Sequence, residues 1–439
     1  MTIRMDEGAA ELLDTLHRAG YAAYVVGGCV RDSLLGLTPH DWDLCTSALP
    51  QQVMELFGAQ RCIPTGLQHG TVTVKQSGAL YEITTFRTEG TYTDGRHPDE
   101  VHFVPDVRED LARRDLTINA MAYNEKEGLV DPFGGQVDLQ SGIVRAVGVP
   151  RQRFTEDALR ILRLYRFAAR FGFAIDPPTA QAAQELCAHL DCVSVERIEE
   201  ELAKLLSAPA PAAYLDKKIL LVILPELSPE ALAAAKPVVD ACPAGAENLP
   251  IRLAALLYSL GEDGIRRTLK RLRCSNALIE EAAVLVREAR GCDGSFLFGH
   301  DSGHSIASPS AFGNRVPPQR TVLRETTVTP GFTIYARRLL GKYNLCTVQR
   351  IAALGTALQP ERAADFAALS ELAEQLDADG VCCRVSQLAV NGRDLMAAGV
   401  PAGPGIRKVL EALLDGVIRE EYPNERQALL AAVQQLAAS

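Results

Sequence analysis

Apolar residues recur every three to four positions across Asp6–Ala19, which predicts an amphipathic helix at the start of the chain. Short apolar runs bounded by Gly, Pro and Asp follow at Ala23–Val26, Trp42–Cys45, Gly70–Val74 and Leu80–Phe86 and read as strands. Helical patterning predicts further helices near Val30–Leu35, Gln51–Phe57 and Thr117–Tyr123. Short strands interleaved with helices over residues 1–145 imply a small mixed sheet, α+β in class, rather than a long doubly wound one. From Phe154 almost to the end the pattern is helical and rich in Ala, Leu and Glu, with Pro-containing joints at Pro177–Pro178, 207–212 and 242–250. Residues 292–333 break it. They are rich in Ser, Pro, Gly and Thr and lack helical periodicity, and they read as an inserted segment or as a stretch translated out of frame.

Composition narrows the class. The 439 residues correspond to two to four domains, and 47% hydrophobic content is ordinary for a globular protein. The longest aliphatic run, Ile219–Leu224, is too short to span a bilayer and reads as core, so no membrane is expected. Eleven cysteines without a C-x-x-C pair, and no leader-like segment before the first helix, favour reduced thiols and a cytoplasmic location. The net charge of −10 argues weakly against nucleic acid, but residues 151–170 carry six arginines against Glu156 and Asp157, and residues 265–274 carry five basic residues and no acid. Such stripes suit a local RNA or nucleotide groove, or a solvated helix face.

The densest chemistry lies between Tyr24 and Pro50. An apolar strand runs into Gly27–Gly28 at a helix start, where free backbone N–H groups face a phosphate. Arg31 follows as a charge-assisted triphosphate contact, and Asp32 either orients Arg31 or belongs to the helix start. Asp41 and Asp43, at a spacing of two, lie on one face of an expected strand and offer oxygen ligands to two Mg²⁺, one facing a 3′-hydroxyl and one a triphosphate. A lone D-x-D is a weak signal; five residues beyond a G-G-x-V-R-D-x-L-L-G segment it becomes strong. Glu82, in the strand YEITTFR, is a candidate third acid or a solvent-facing residue.

Three later segments extend the picture. In Arg113-Arg114-Asp115, Arg114 reaches phosphate while Asp115 and Asn119 address a sugar; alternatively Asp115 or Thr117 simply caps a helix. In EDALRILRLYRFAARF, Asp157, Arg160, Arg163 and Arg166 step by three along an expected helix. They are either a salt-bridge ladder or a reader, with an acid and an arginine facing a base and Arg163 and Arg166 on the triphosphate. VSVERIEEELAKLL reads as structural support, with Ser194 beside Arg197 and Glu196 beside Glu200. His300, Asp301 and His304 are a weak hint of metal phosphohydrolase chemistry.

Taken together, GGCVRDSLLG…DWD, RRDLTINAMAYN, DPFGG (Asp131–Gly135), EDALRILRLYRFAARF and VERIEEEL resemble, in order, the motifs of class II bacterial CCA-adding tRNA nucleotidyltransferases, a class shared with bacterial poly(A) polymerases. The resemblance is dense over residues 20–206, weaker over 207–291, and returns at Leu388–Ile418. It implies a polymerase-β-like nucleotidyltransferase head (1–145), a helical neck with the base reader (146–206), a helical body (207–333) and a helical, tRNA-binding tail (334–439). It implies stepwise addition of C, C and A to a tRNA 3′ end from CTP and ATP, with Mg²⁺ and without a nucleic-acid template; no DNA is expected. Asp41, Asp43 and Glu82 would be the catalytic acids, and Asp157 with Arg160 the amino-acid template. Gly27, Gly28, Arg31, Arg114, Asp115, Asn119, Arg163 and Arg166 would bind the nucleotide. Arg87–Val104 resembles the flexible head loop that CC-only enzymes tend to lack. A poly(A) polymerase, an A-adding enzyme, or an RNA-binding protein without catalysis are the competing readings.

Overall fold

In the computed structural model, residues 3–90, 101–291 and 329–438 are described. Contacts divide these into two units. One gathers Met1–Asp240, Ala244–Leu249 and Thr268–Ser275; the other gathers Ala241–Pro243, Pro250–Arg267 and Asn276–Ser439.

The first unit opens with helix α1 (Glu7–Arg18), whose first turn is capped by the Asp6 carboxylate accepting from the Gly8 and Ala9 N–H groups. A mixed sheet follows, built from β1 (Ala23–Val26), β2 (Leu44–Thr46), β3 (Cys62–Gly66), β4 (Thr71–Gln76), β5 (Ala79–Thr85), β8 (Ala122–Asn124) and β9 (Gly128–Val130) in the order β3-β4-β5-β2-β1-β8-β9. β2 and β5 are parallel and the remaining pairs antiparallel. A separate two-stranded ribbon, β6 (Arg87–Glu89) and β7 (Val101–Phe103), precedes β8 in the chain. Helices α2 (Gly28–Leu34), α3 (Pro50–Phe57), α4 (Val107–Ala112) and α5 (Gly135–Ser141) complete this part. The core packs Tyr24, Val26, Cys45, Phe86, Leu111 and Ala122 against one another. Four helices matter next: α6 (Pro150–Glu156), α7 (Leu159–Phe171), α8 (Pro177–Leu186) and α9 (Val195–Leu206). The strongly amphipathic α7 and α9 pack together, which buries Ile161, Leu164, Ile198 and Leu202.

The second unit is helical among its described residues. Leu354, Phe366 and Leu369 form part of its core, and a second cluster around Leu395, Leu413 and Leu429 lies nearer the C-terminus. Its helix Pro330–Lys342 begins within the segment read from sequence as irregular, capped by the Thr329 hydroxyl. The rest of that segment, with His300, Asp301 and His304, lies outside the described residues, as does much of the expected head loop. No described helix is long and apolar enough to cross a membrane. The ten cysteines among the described residues are free thiols.

Several expected elements differ. The strand placed at Trp42–Cys45 begins at Leu44, so Asp41 and Asp43 precede it. The β1 partner ends at Val26, whose N–H bonds the Asp43 carbonyl at 2.9 Å, and there the chain turns away into α2. The helix expected over Thr117–Tyr123 is a single 3₁₀ turn, Thr117–Asn119, followed by β8. The Met121 carbonyl accepts from Gly27 and Ala122 pairs with Val26, so this short apolar run completes the sheet instead of coiling. Neither Asp115 nor Thr117 caps that turn, because the Thr117 hydroxyl donates to Asp138 on α5 at 2.7 Å. The edge strand β3 was hidden by Pro64, which an edge tolerates and a central strand does not.

Candidate active site

Asp41 and Asp43 stand on the extended approach to β2, and their side chains share a cleft of about 530 Å³ with Glu82 of β5. The ladder explains the meeting: Leu44 pairs with Ile83, so the residue before each lies at the same level of two adjacent strands. Thr73 of β4 pairs with Glu82, and Ile63 of β3 pairs with Thr73, which extends the row across the sheet. Packed protein around the Asp43 carboxyl raises its pKa, as do the charges of Glu82 and Asp41, while Arg114 opposes them. Among the described residues no three acidic, His or Cys side chains form an ion cage by themselves. A carboxylate pair with a third acid nearby, all oxygen donors, fits a hard divalent cation that completes its coordination with water and substrate phosphate.

On the other side of β2 lies the turn between β1 and α2. Gly27 has φ +79°, a backbone conformation that favours glycine, and Arg114 Nη1 lies 2.9 Å from where a Cβ would stand. The Gly27 N–H is committed to Met121 at 3.0 Å, which corrects the expectation that both glycines present free N–H groups; the helix start proper begins at Gly28. Arg114 is anchored by Asp110, 3.5 Å away and fully buried, and its buried Nε has no hydrogen-bond partner.

From this turn a chain of polar groups leads to α7. Arg31 is buried between the rings of Phe167 and Phe171, its guanidinium 5.0 and 5.1 Å from their centroids. Its Nε donates to Asp32 at 2.8 Å and its Nη1 donates to Asn119. Asp32 therefore orients Arg31, and it also accepts from Arg170 at 3.1 Å. Asn119 donates onward to Asp115 at 3.2 Å, and Asp115 accepts from Arg163 Nε at 2.7 Å. Burial pushes the Asp115 carboxyl up, but Arg163, Arg160 and the Asn119 hydrogen bond outweigh it and hold the group well below the usual carboxylate range. Glu201 of α9 closes the chain, 2.6 Å from Arg166 and 3.9 Å from Arg163. Burial lowers the Arg166 pKa to about 10, against the pull of Glu201.

Asp157 and Arg160 differ from the expected ladder. Asp157 sits in the break between α6 and α7, because its carboxylate accepts the Leu159 N–H at 3.0 Å and ends the helix run. Its other oxygen accepts from Arg197 of α9 at 2.8 Å. Arg160 is buried, donating to Glu156 at 2.7 Å and to the Arg113 carbonyl at 3.1 Å. Asp157 and Arg160 are thus held rigidly by different partners beside one another. Sequence reasoning missed Asp110, Arg197 and Glu201. The signals were present: Asp110 lies three and four residues before Arg113 and Arg114, and Arg197 and Glu201 stand four residues apart on α9, where Arg197 pairs with Asp157 and Glu201 with Arg166 of α7.

This sheet, with paired acids at the start of β2 and a glycine turn beside them, defines a nucleotidyltransferase head. Residues 23–145 match the Poly A polymerase head domain, 172–231 the RNA- and SrmB-binding site of polymerase A, and 332–433 the tRNA nucleotidyltransferase domain 2. The chain is 36% identical over 439 residues to a CCA-adding enzyme of Limosilactobacillus fermentum, covering 98% of this chain and 97% of the relative. It is 34% identical over 432 residues to that of Lactiplantibacillus plantarum, covering 97% and 95%. The crystal structure of the Bacillus stearothermophilus CCA-adding enzyme in complex with CTP superposes with a TM-score of 0.76 at 30% identity, over 99% of this chain and 98% of that one. The chain belongs to the CCA-adding enzyme family of tRNA nucleotidyltransferases.

Proposed function

We propose that this chain adds C, C and A stepwise to the 3′ end of tRNA from CTP and ATP without a nucleic-acid template, releasing pyrophosphate. The observation that carries the reading is the division of the site at β2. Three acids converge on one side, and Gly28, Arg31 and Arg114 lie on the other. Asp41 and Asp43, with Glu82 behind them, are the groups that would hold Mg²⁺, which when bound acidifies the attacking hydroxyl and offsets charge on the leaving pyrophosphate. The α2 start at Gly28, with Arg114 and Arg31, draws the triphosphate, and Arg163 and Arg166 extend the positive field. Asp115 and Asn119 hold Arg163 and Arg31 in place and line the route of the sugar. Asp157 and Arg160 present an acceptor and a donor edge to the base, and their fixed partners keep those edges aimed. The tail, residues 334–439, grips tRNA by shape and phosphate, consistent with a cytoplasmic tRNA-processing enzyme.

The test is incubation of the purified chain with Mg²⁺, tRNA lacking its 3′ end, and CTP, ATP or both. Ordered addition of two C and one A is the expected product. A long A tract, or tRNA binding without incorporation, overturns the reading.

A further inference from the structure

The cleft that holds the three acids has a second character. Its remaining lining is Trp42, Ile63, Leu80, Thr65 and Thr73, with no Lys, Arg or His among the described lining residues. A triphosphate is a poor fit to such a surface without counter-charge. A nucleoside suits it, since its base presents apolar faces and its sugar presents hydroxyls. Leu80 is 61% exposed and Ile63 37% exposed, so together they leave an open apolar surface beside the acids. The volume of about 530 Å³ suits one nucleoside.

The two threonines are placed for the sugar. Thr73 is buried directly across from Glu82, and its hydroxyl lies 2.9 Å from that of exposed Thr65 on the edge strand. One hydroxyl donates to the other, which leaves one O–H proton and further lone pairs for a guest. We propose that this face is the seat of the tRNA terminal nucleoside, and that the Thr65–Thr73 hydroxyl pair receives its 2′-hydroxyl while the acids face the neighbouring 3′-hydroxyl. The base rests on Trp42, Ile63 and Leu80. The pair thereby selects a ribose end over a deoxyribose end, a distinction that only the 2′-hydroxyl offers. This rests on the nucleotidyl-transfer reading and names which half of the site takes the acceptor. The simpler alternative is a cross-strand threonine pair that only stabilises β3 against β4.

The experiment compares tRNA acceptors ending in ribose or in 2′-deoxyribose, with the full-length protein and its Thr65→Val, Thr73→Val and Thr65→Ser variants. The wild-type protein is expected to extend the ribose end about tenfold more efficiently, the scale of one well-made hydrogen bond. Thr65→Val and Thr73→Val bring the ratio of the ribose rate to the deoxyribose rate down toward one, while Thr65→Ser restores the preference. The ratio of the two Kd values, measured without divalent metal, moves in the same direction. A purely structural pair lowers both rates alike and leaves the ratios unchanged, and that result overturns the proposal. Complete failure of the wild-type protein to extend either end sinks the transferase reading instead, and the metal-free Kd ratio still judges this one.

Discussion

The two acidic clusters of the first unit are built on opposite principles. In the cleft, Asp41, Asp43 and Glu82 line one face with no arginine in the lining, and burial, with the charges of Glu82 and Asp41 added, raises the Asp43 pKa against the pull of Arg114. Between α2, α7 and α9, Asp32, Asp115 and Glu201 alternate with Arg31, Arg163 and Arg166, and the Asp115 pKa is pulled down. The first cluster is electrostatically incomplete and looks outward for a cation. The second is satisfied from within and fixes the position of its arginines. Under the proposed function, uncompensated charge in one place for chemistry and rigidity in the other for selection is the division of labour expected where a single set of acids serves two different bases.

The sharpest way to break this contrast is Asp41→Ala. Incorporation of both nucleotides should fall by about 10³-fold or more, the scale of lost transition-state charge stabilisation. tRNA affinity, read by filter binding, should remain nearly intact; a variant that fails to fold would make Asp41 structural. Arg31→Met tests the other cluster. Removing one partner of a buried ion pair should cost about 3 kcal/mol in urea unfolding, and a change under about 0.5 kcal/mol, the level of ordinary surface substitutions, would deny the network its positional role. Arg160→Ala should shift the CTP/ATP choice by about tenfold, as loss of a base-edge contact does, and slow total transfer less. Unchanged selectivity removes its template role. Arg197→Gln frees Asp157 without touching a base, so the same selectivity shift should appear at about two- to threefold, the scale of one weakened hydrogen bond.

Much of the acidic cleft was legible because the chemistry proposed for it demands short spacing. Asp41 and Asp43 lie two residues apart, beside a glycine turn of the kind that phosphate sites use. Glu82 was nameable only as an open choice, because the parallel pairing of β2 with β5 brings it in from 39 residues away. The segment EDALRILRLYRFAARF was singled out, but its geometry was misread: Asp157 breaks the helix by bonding the Leu159 N–H, a local competition that a periodicity argument does not see. Asp110, Arg197 and Glu201 escaped for another reason. Each acts on a residue already singled out, and side chains that orient others carry no motif beyond an i,i+4 spacing shared with many solvent-exposed pairs. The run after Arg114 was read as a helix because its apolar residues fill a sheet position buried on both faces, and periodicity cannot distinguish that from a short helix.

The central claim, that one acid is strained for chemistry and the other satisfied for structure, is tested most directly by the thermal midpoints of Asp43→Asn and Asp115→Asn at neutral and acid pH. Asp115 has a depressed folded pKa, so its stabilisation is present above the ordinary carboxylate range and is lost as pH falls toward the folded value. Asp43 has a raised folded pKa, so its destabilisation appears as pH rises through that range and disappears below it. At pH 7 Asp115→Asn should therefore melt about 5 °C or more below wild type, while Asp43→Asn melts at or above it, and both differences should shrink below about pH 4. A neutral-pH loss of similar size in both variants would contradict the account.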